Sequence, residues 1–195
     1  MGKTYKIGVV GAGNMGSGIA QKLAQEKMDV TLVDTKTEFI EKGLKNIRQT
    51  LEEGVKRNIF TPEKVEEIIG RIKGTTDLKE LKDADLVIEA VFEDEKVKGE
   101  LFAKLDQICE PKTIFATNTS SFKVGNLAKS TSRPDRFVGT HYFFHPAKNR
   151  LVEVVPHEGT SEETKEKVLQ IANLHGKTCL LYTSDAADEE DSVDL

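Results

Sequence analysis

The stretch Lys6-Ile-Gly-Val-Val-Gly-Ala-Gly-Asn-Met-Gly16 decides the fold. It begins as a short β-branched apolar run and turns into glycines at Gly11, Gly13 and Gly16. An apolar run of this length, stopped by glycines, reads as a buried strand. Directly after it, Met15, Ile19, Leu23 and Ala24 recur at helical spacing, which predicts a helix over residues 14–27. Val30-Thr-Leu-Val33 predicts a second strand, and Asp34 closes it. The element order strand, glycine turn, helix, strand, acid is therefore present within thirty residues.

Downstream the alternation continues. Helices are expected over 37–58 and from a Thr61-Pro62 start to about Ile69, with Thr61 as N-cap and Pro62 at the first helical position. Strands are expected over 72–76, 86–89, 113–117, 137–141 and 151–155. A helix is expected over 94–109, with Val97, Leu101, Leu105 and Ile108 on its apolar face. Another is expected from Thr160 to His175, opened by a capping box of Thr160 and Glu163. Cys179–Tyr182 completes a last strand. Strands alternating with helices give βαβ units, hence an α/β, Rossmann-type, doubly wound and mostly parallel sheet.

The glycine pattern G-x-G-x-x-G is weak alone, because glycines gather in turns. Here the preceding strand, the following helix and Asp34 at the next strand end supply its required context. Gly11 permits the tight turn, Gly13 lets backbone N–H groups approach a pyrophosphate at the helix N-terminus, and Gly16 lets helix and strand pack closely. Asn14 and Met15 lie inside that loop. Asp34 accepts hydrogen bonds from a ribose diol and repels a 2′-phosphate, which favours NAD over NADP; Lys36 softens that preference. The competing reading is a glycine turn of another α/β protein with Asp34 as a loop acid.

Composition bounds the rest. The chain has 195 residues, with 28 Lys and Arg against 33 Asp and Glu, a net charge of −5. Six of those acids and no base lie in 183–195, so the remaining chain carries 28 bases against 27 acids, a net charge of +1. This balance argues against a nucleic-acid binder, which carries clustered basic excess. The longest apolar runs are strand-sized, so no membrane span is expected. Cys109 and Cys179 have neither a disulfide framework nor metal-ligand spacing, so no metal is expected. The expected setting is reducing and cytoplasmic.

Four stretches carry a more specific resemblance: Gly11–Gly18, Val87–Asp106, Asn118–Ser121 (NTSS) and His141–Val155 (HYFFHPAKNRLVEVV). From about Lys6 to Lys177 the chain resembles the 3-hydroxyacyl-CoA dehydrogenases. The resemblance implies NAD-dependent, reversible oxidation of an (S)-3-hydroxyacyl-CoA to the 3-ketoacyl-CoA, in fatty acid or butyrate-type metabolism. It implies His141 and Glu153 as the acid/base pair. A histidine near neutral pKa suits a hydroxyl proton shuttle, and a carboxylate behind it fixes the tautomer. It further implies that Ser120 contacts substrate, that Asn118 lies on the nicotinamide ribose side, and that Ala90, Val91, Glu93 and Lys98 line the cofactor. By pattern alone NTSS is a polar turn or an N-cap, and Glu93 and Lys98 are a solvated helix start. The 37–69 insertion is expected to contribute to a CoA site, with Lys42, Lys45, Arg48, Lys56 and Arg57 as weak phosphate candidates.

Two departures stand out. The family string His-Phe-Phe-Asn-Pro is here His141-Tyr-Phe-Phe-His145-Pro146, which puts Phe144 and His145 at the Asn and Pro positions. His157 reads as a loop residue, and His175 as a helix-end residue favoured by the helix dipole. The family continues past this point into a C-terminal helical domain that forms a homodimer. Here 1–182 reads as one NAD-binding domain and 183–195 as a disordered acidic tail that looks non-native, so the chain is expected to be C-terminally truncated. A fragment of that kind is expected to bind NAD with little turnover. The alternative functions are a non-catalytic dinucleotide-binding module, as a sensor or crystallin-like protein, and a dehydrogenase of free 3-hydroxy acids.

Overall fold

The computed structural model describes residues 4–182; the acidic tail lies outside the described residues. The chain runs β1 (Lys6–Val10), α1 (Asn14–Gln25), β2 (Asp29–Val33), α2 (Thr37–Lys56), α3 (Pro62–Ile69), β3 (Ile72–Thr75), β4 (Leu86–Glu89), α4 (Glu95–Ile108), β5 (Ile114–Thr117), α5 (Val124–Ala128), β6 (Phe137–Tyr142), β7 (Leu151–Val155), α6 (Glu162–Leu174) and β8 (Thr178–Leu181). The strands form one sheet of order β3-β2-β1-β4-β5-β6-β7-β8. Pairing is parallel from β3 through to β6; β7 runs antiparallel to β6, and β8 parallel to β7. After β1 the chain moves outward to β2 and β3, then returns to place β4 on the other side of β1. That reversal is the topological switch of a doubly wound sheet.

Both faces are covered, which explains why β4 and β5 are buried at every position. Ile7, Val9, Leu32, Ile88 and Ala116 face Ile19, Leu23, Ile47, Ile68 and Ile171 from α1, α2, α3 and α6. Val10, Val33, Val87 and Phe115 face Phe102, Leu105 and Leu127 from α4 and α5. On the second face Phe102 meets Phe137 edge-on, with ring centroids 4.6 Å apart, and Phe115 at 5.9 Å. Those rings fix the strands that end at the site.

Three local expectations change. α1 stops at Gln25 because Lys27 takes a left-handed conformation (φ 66°), and the Met28 N–H returns to Leu23 O. α6 is capped by Ser161, whose Oγ accepts from Thr164 N–H at 3.2 Å; Thr160 instead donates its hydroxyl to Phe137 O at 2.8 Å, so the Thr160–Glu163 capping box does not form. The buried stripe of α4 runs through Lys98, Phe102, Leu105 and Cys109, while Val97 is half-exposed. A lysine inside the buried stripe displaces the apparent apolar period by one residue.

Candidate active site

The carboxyl ends of β1, β2, β4, β5 and β6 share one edge of the sheet, and a cleft of about 780 Å³ opens there beside the switch between β1 and β4. Its floor is the glycine loop. Gly11 adopts φ 105°, and its N–H donates to Val33 O at 2.7 Å. A Cβ at Gly11 would lie 2.4 Å from Ala90 O, and one at Gly16 would lie 1.7 Å from Gly11 O. Gly13 differs: a Cβ there meets nothing within 4 Å and projects into open space. Two glycines therefore hold the loop's shape, and the third keeps it approachable.

The N-terminus of α1 suits an anion. Its first internal bond runs from Ser17 N–H to Gly13 O, so the N–H groups before Ser17 have no helical acceptor. No side chain caps this end, and no acid lies in the first turn. The other described helices of eight or more residues each carry an acid there. Asp34 stands at the end of β2 beside the loop. Its Oδ2 accepts from Ala12 N–H at 2.7 Å and its Oδ1 from Thr35 N–H at 2.6 Å. Oδ1 also accepts from the Thr35 hydroxyl at 3.2 Å, so of a carboxylate's roughly four lone-pair sites about one remains for a ribose hydroxyl. Ala90 and Val91 form the opposite wall with Phe92, which is 80% exposed. The uncapped turn, the open Gly13 and the seated Asp34 fit a dinucleotide. Asn14 and Met15 line the same cleft.

His141 and Glu153 face each other directly across the β6–β7 ladder. His141 Nδ1 lies 2.8 Å from Glu153 Oε2, with both side chains mostly buried. The Tyr182 hydroxyl donates to Glu153 Oε1 at 2.9 Å. Phe143 packs on the imidazole, centroid to centroid 4.6 Å. With Nδ1 engaged, Nε2 is the ring atom available to a ligand. In the sequence Tyr182 reads only as the end of a last strand; the pairing of β8 with β7 is what brings its hydroxyl to Glu153.

Asn118 links this pair to β5. Its Oδ1 accepts from Tyr142 N–H at 2.9 Å, one residue beyond His141. Ser120 lies exposed on the same turn, with its hydroxyl 3.4 Å from that of Ser121. Lys98 stands elsewhere than expected. It is 1% exposed and, like Glu93, is not among the residues that line the cleft; neither is it a solvated helix start. Its Nζ lies 2.6 Å from Glu89 Oε1 and 3.0 Å from Glu93 Oε2. A buried ammonium must be paired, and Glu89, itself completely buried, supplies the partner. Glu89 read from sequence as a strand end alone; its burial between two faces is a tertiary fact.

The remaining histidines follow their surroundings. His175 is buried, bonded through Nδ1 to Ile171 O at 2.7 Å and through Nε2 to the Tyr142 hydroxyl at 3.1 Å. Burial pushes its pKa down to about 4, so desolvation outweighs the helix dipole that had suggested a charged ring. His157 sits in the 156–161 turn as expected, its Nε2 2.9 Å from Pro134 O. Burial also lowers His145, whose Nδ1 accepts from Ala147 N–H at 3.2 Å. Phe144 is 71% exposed. Among the basic residues of α2, Lys42 lines the cleft, whereas Arg48 is held by Glu66 of α3 at 2.5 Å.

Comparison with known proteins agrees with this geometry. Residues 6–186 match the family described as the 3-hydroxyacyl-CoA dehydrogenase NAD binding domain. A probable 3-hydroxybutyryl-CoA dehydrogenase of Deinococcus radiodurans is 42% identical over 175 residues, covering 90% of this chain and 63% of the relative. One from Bacillus subtilis is 41% identical over 175 residues, covering 90% and 61%. The crystal structure of (S)-3-hydroxybutyryl-CoA dehydrogenase from Ralstonia eutropha superposes with a TM-score of 0.92 at 34% identity, covering 94% of this chain and 65% of that one. The chain thus spans a little over three fifths of the length of these relatives. It belongs to the 3-hydroxyacyl-CoA dehydrogenase family, of which it carries the NAD-binding domain.

Proposed function

We propose that the chain is the cofactor-binding and proton-transferring part of an NAD-dependent enzyme that interconverts (S)-3-hydroxyacyl-CoA and 3-ketoacyl-CoA. The observation that carries this reading is the 2.8 Å contact of His141 Nδ1 with Glu153, mounted on the same sheet edge as the dinucleotide cleft. NAD, when bound, supplies the hydride acceptor. Gly11, Gly13, Asn14, Met15, Gly16 and Asp34 hold it, with the Ala90–Val91 backbone opposite.

In the oxidative direction His141 Nε2 takes the proton of the 3-hydroxyl. Glu153 keeps the imidazole in the tautomer that carries its proton on Nδ1, so Nε2 is the basic atom, and it stabilises the imidazolium formed. Tyr182 holds the carboxylate's second oxygen, which restrains its rotation. Ser120 orients the substrate oxygen, and Asn118, anchored to the strand of His141, positions the nicotinamide side. In the reductive direction the same imidazolium returns the proton. The likeness to 3-hydroxybutyryl-CoA dehydrogenases supports a short acyl thioester as substrate. The region that the relatives have beyond this match would complete the substrate pocket and a homodimer.

The test is NADH oxidation with acetoacetyl-CoA or free acetoacetate, by the chain extended with the C-terminal region of the Bacillus subtilis relative. The expected result is turnover with the thioester and little with the free acid. A protein that binds NADH yet reduces no 3-ketoacyl-CoA would overturn the proposal.

A further inference from the structure

Glu89, Lys98 and Glu93 form a buried bridge between two loops that the proposed reaction uses separately. On one side, Glu89 Oε1 accepts from Val91 N–H at 2.8 Å and so holds the wall of the dinucleotide cleft. On the other, Glu89 Oε2 accepts from the Thr117 hydroxyl at 2.7 Å, and Thr117 Oγ1 in turn accepts from Thr119 N–H at 3.3 Å. Lys98 joins Glu89 to Glu93. Glu93 accepts a hydrogen bond from the Thr119 hydroxyl. Thr119 Oγ1 also accepts from the N–H groups of Ser121 and Phe122, at 3.2 and 3.1 Å. The 118–121 turn, which presents Asn118 and Ser120, is thus suspended at Thr117 and Thr119 from two carboxylates joined by one ammonium.

The two attachments differ in rigidity. Glu89 is wholly buried, whereas Glu93 is 41% exposed in a stretch, 92–97, that is exposed throughout. Phe92 and Val97 flank Glu93 in sequence, line the cleft, and are 80% and 46% exposed. A dinucleotide in the cleft would cover both side chains. Covering them restricts the segment that carries Glu93 and tightens its hold on Thr119.

We propose that the buried Glu89–Lys98–Glu93 bridge couples dinucleotide binding to the ordering of the substrate-contacting turn at 118–121, with Glu89 as a positioning residue. This rests on the dinucleotide and substrate roles assigned above. Occupying the cleft first lowers the ordering cost left for the acyl substrate, and so produces positive coupling without a large movement. The bridge acts through charge and hydrogen bonding, not through contact with the reacting atoms.

The test uses the chain itself, by amide hydrogen exchange with and without saturating NADH. In the wild type, NADH should slow exchange at 11–16, and at Thr119, Ser121 and Phe122 by about fivefold or more, the lower range of ordinary coupling. The double variant Glu89→Gln with Lys98→Met removes the charges together and strands no unpaired buried ion. Glutamine at 89 keeps an amide oxygen that can accept from Val91 N–H and so keeps the cleft wall in place, so the variant should keep the NADH response at 11–16 and lose it at 119–122. Glu93→Gln, a variant at an exposed position, should weaken the response at 119–122 and keep that at 11–16, which guards against a double variant that fails to fold. A merely structural role would lower protection equally with and without NADH. If NADH protects 11–16 but never 119–122, or if the double variant and Glu93→Gln both keep the full response, the coupling is wrong while the cofactor site stands. If NADH protects neither segment, the cofactor reading falls and the coupling with it.

Discussion

Replacing Gly13 or Gly16 by alanine separates shaping the loop from leaving it approachable. At Gly16 the added Cβ would stand 1.7 Å from Gly11 O, a backbone atom that cannot rotate away. α1 must shift off the β1 turn, and overpacking of this kind costs about 1–3 kcal/mol or more. For a chain of this size that lowers Tm by roughly 2–12 °C. At Gly13 the added Cβ meets nothing within 4 Å. Alanine is a poorer N-cap than glycine, but it also loses less unfolded-chain entropy; each effect is a fraction of a kcal/mol to about 1 kcal/mol, with opposite signs. Tm should therefore move by no more than about 2 °C. Binding is another matter, because the methyl stands where the backbone must approach a pyrophosphate. Losing one charge-assisted hydrogen bond, worth about 1.5–3 kcal/mol, weakens NADH by roughly ten- to a hundredfold. Thermal melts and NADH titrations of the two variants read both quantities. Gly13→Ala with wild-type affinity, or with the stability loss of Gly16→Ala, would refute the assignment of the two glycines.

Two further predictions concern buried titratable groups. His175 is neutral in the folded chain with its pKa pushed down to about 4, whereas in the unfolded chain it takes the ordinary value of 6.5. Between these values the unfolded state binds the extra proton, so stability is fully present above 6.5 and falls as pH drops toward 4, by on the order of 3 kcal/mol. Denaturant unfolding across pH 4–7 should show this slope, and His175→Gln should flatten it; an unchanged slope in the variant would assign it to other groups. Cys109 is buried, with its thiol pushed up to about 11 by burial and donating to Leu81 O at 3.4 Å. That leaves roughly a hundredfold less thiolate than an ordinary cysteine at a given pH. Native-state alkylation followed by peptide mapping should therefore label Cys179 first; equal labelling would contradict the packing of α4 on the sheet.

The fold was legible because its signals are local. Lys6–Gly16 contains a strand, its stop and a helix start in eleven residues, and Asp34 falls where β2 must end. His141 and Glu153 were legible as a resemblance, and their opposition follows from the antiparallel register of β6 and β7. What the sequence hid depends on burial. Lys98 looked solvated because lysine usually is, yet the apolar stripe of α4 passes through it and Glu89 neutralises it there. Val97, counted with the core, opens onto the cleft instead. His175 kept its position at a helix end but lost the charge the dipole would favour, because Tyr142 and the sheet enclose it. For Lys98 and His175 the deciding neighbours, Glu89 and Tyr142, lie 9 and 33 residues away in sequence, beyond the reach of local pattern.

The most direct test of the central claim is His141→Gln in the chain extended to the length of its relatives. Glutamine keeps a polar side chain opposite Glu153 but cannot shuttle a proton. NADH affinity should remain at the wild-type value, because the cleft residues are untouched. Acetoacetyl-CoA reduction should fall by about 10²- to 10⁴-fold, the usual contribution of a general acid/base. Wild-type turnover in His141→Gln would show that another group moves the proton and would contradict the assignment.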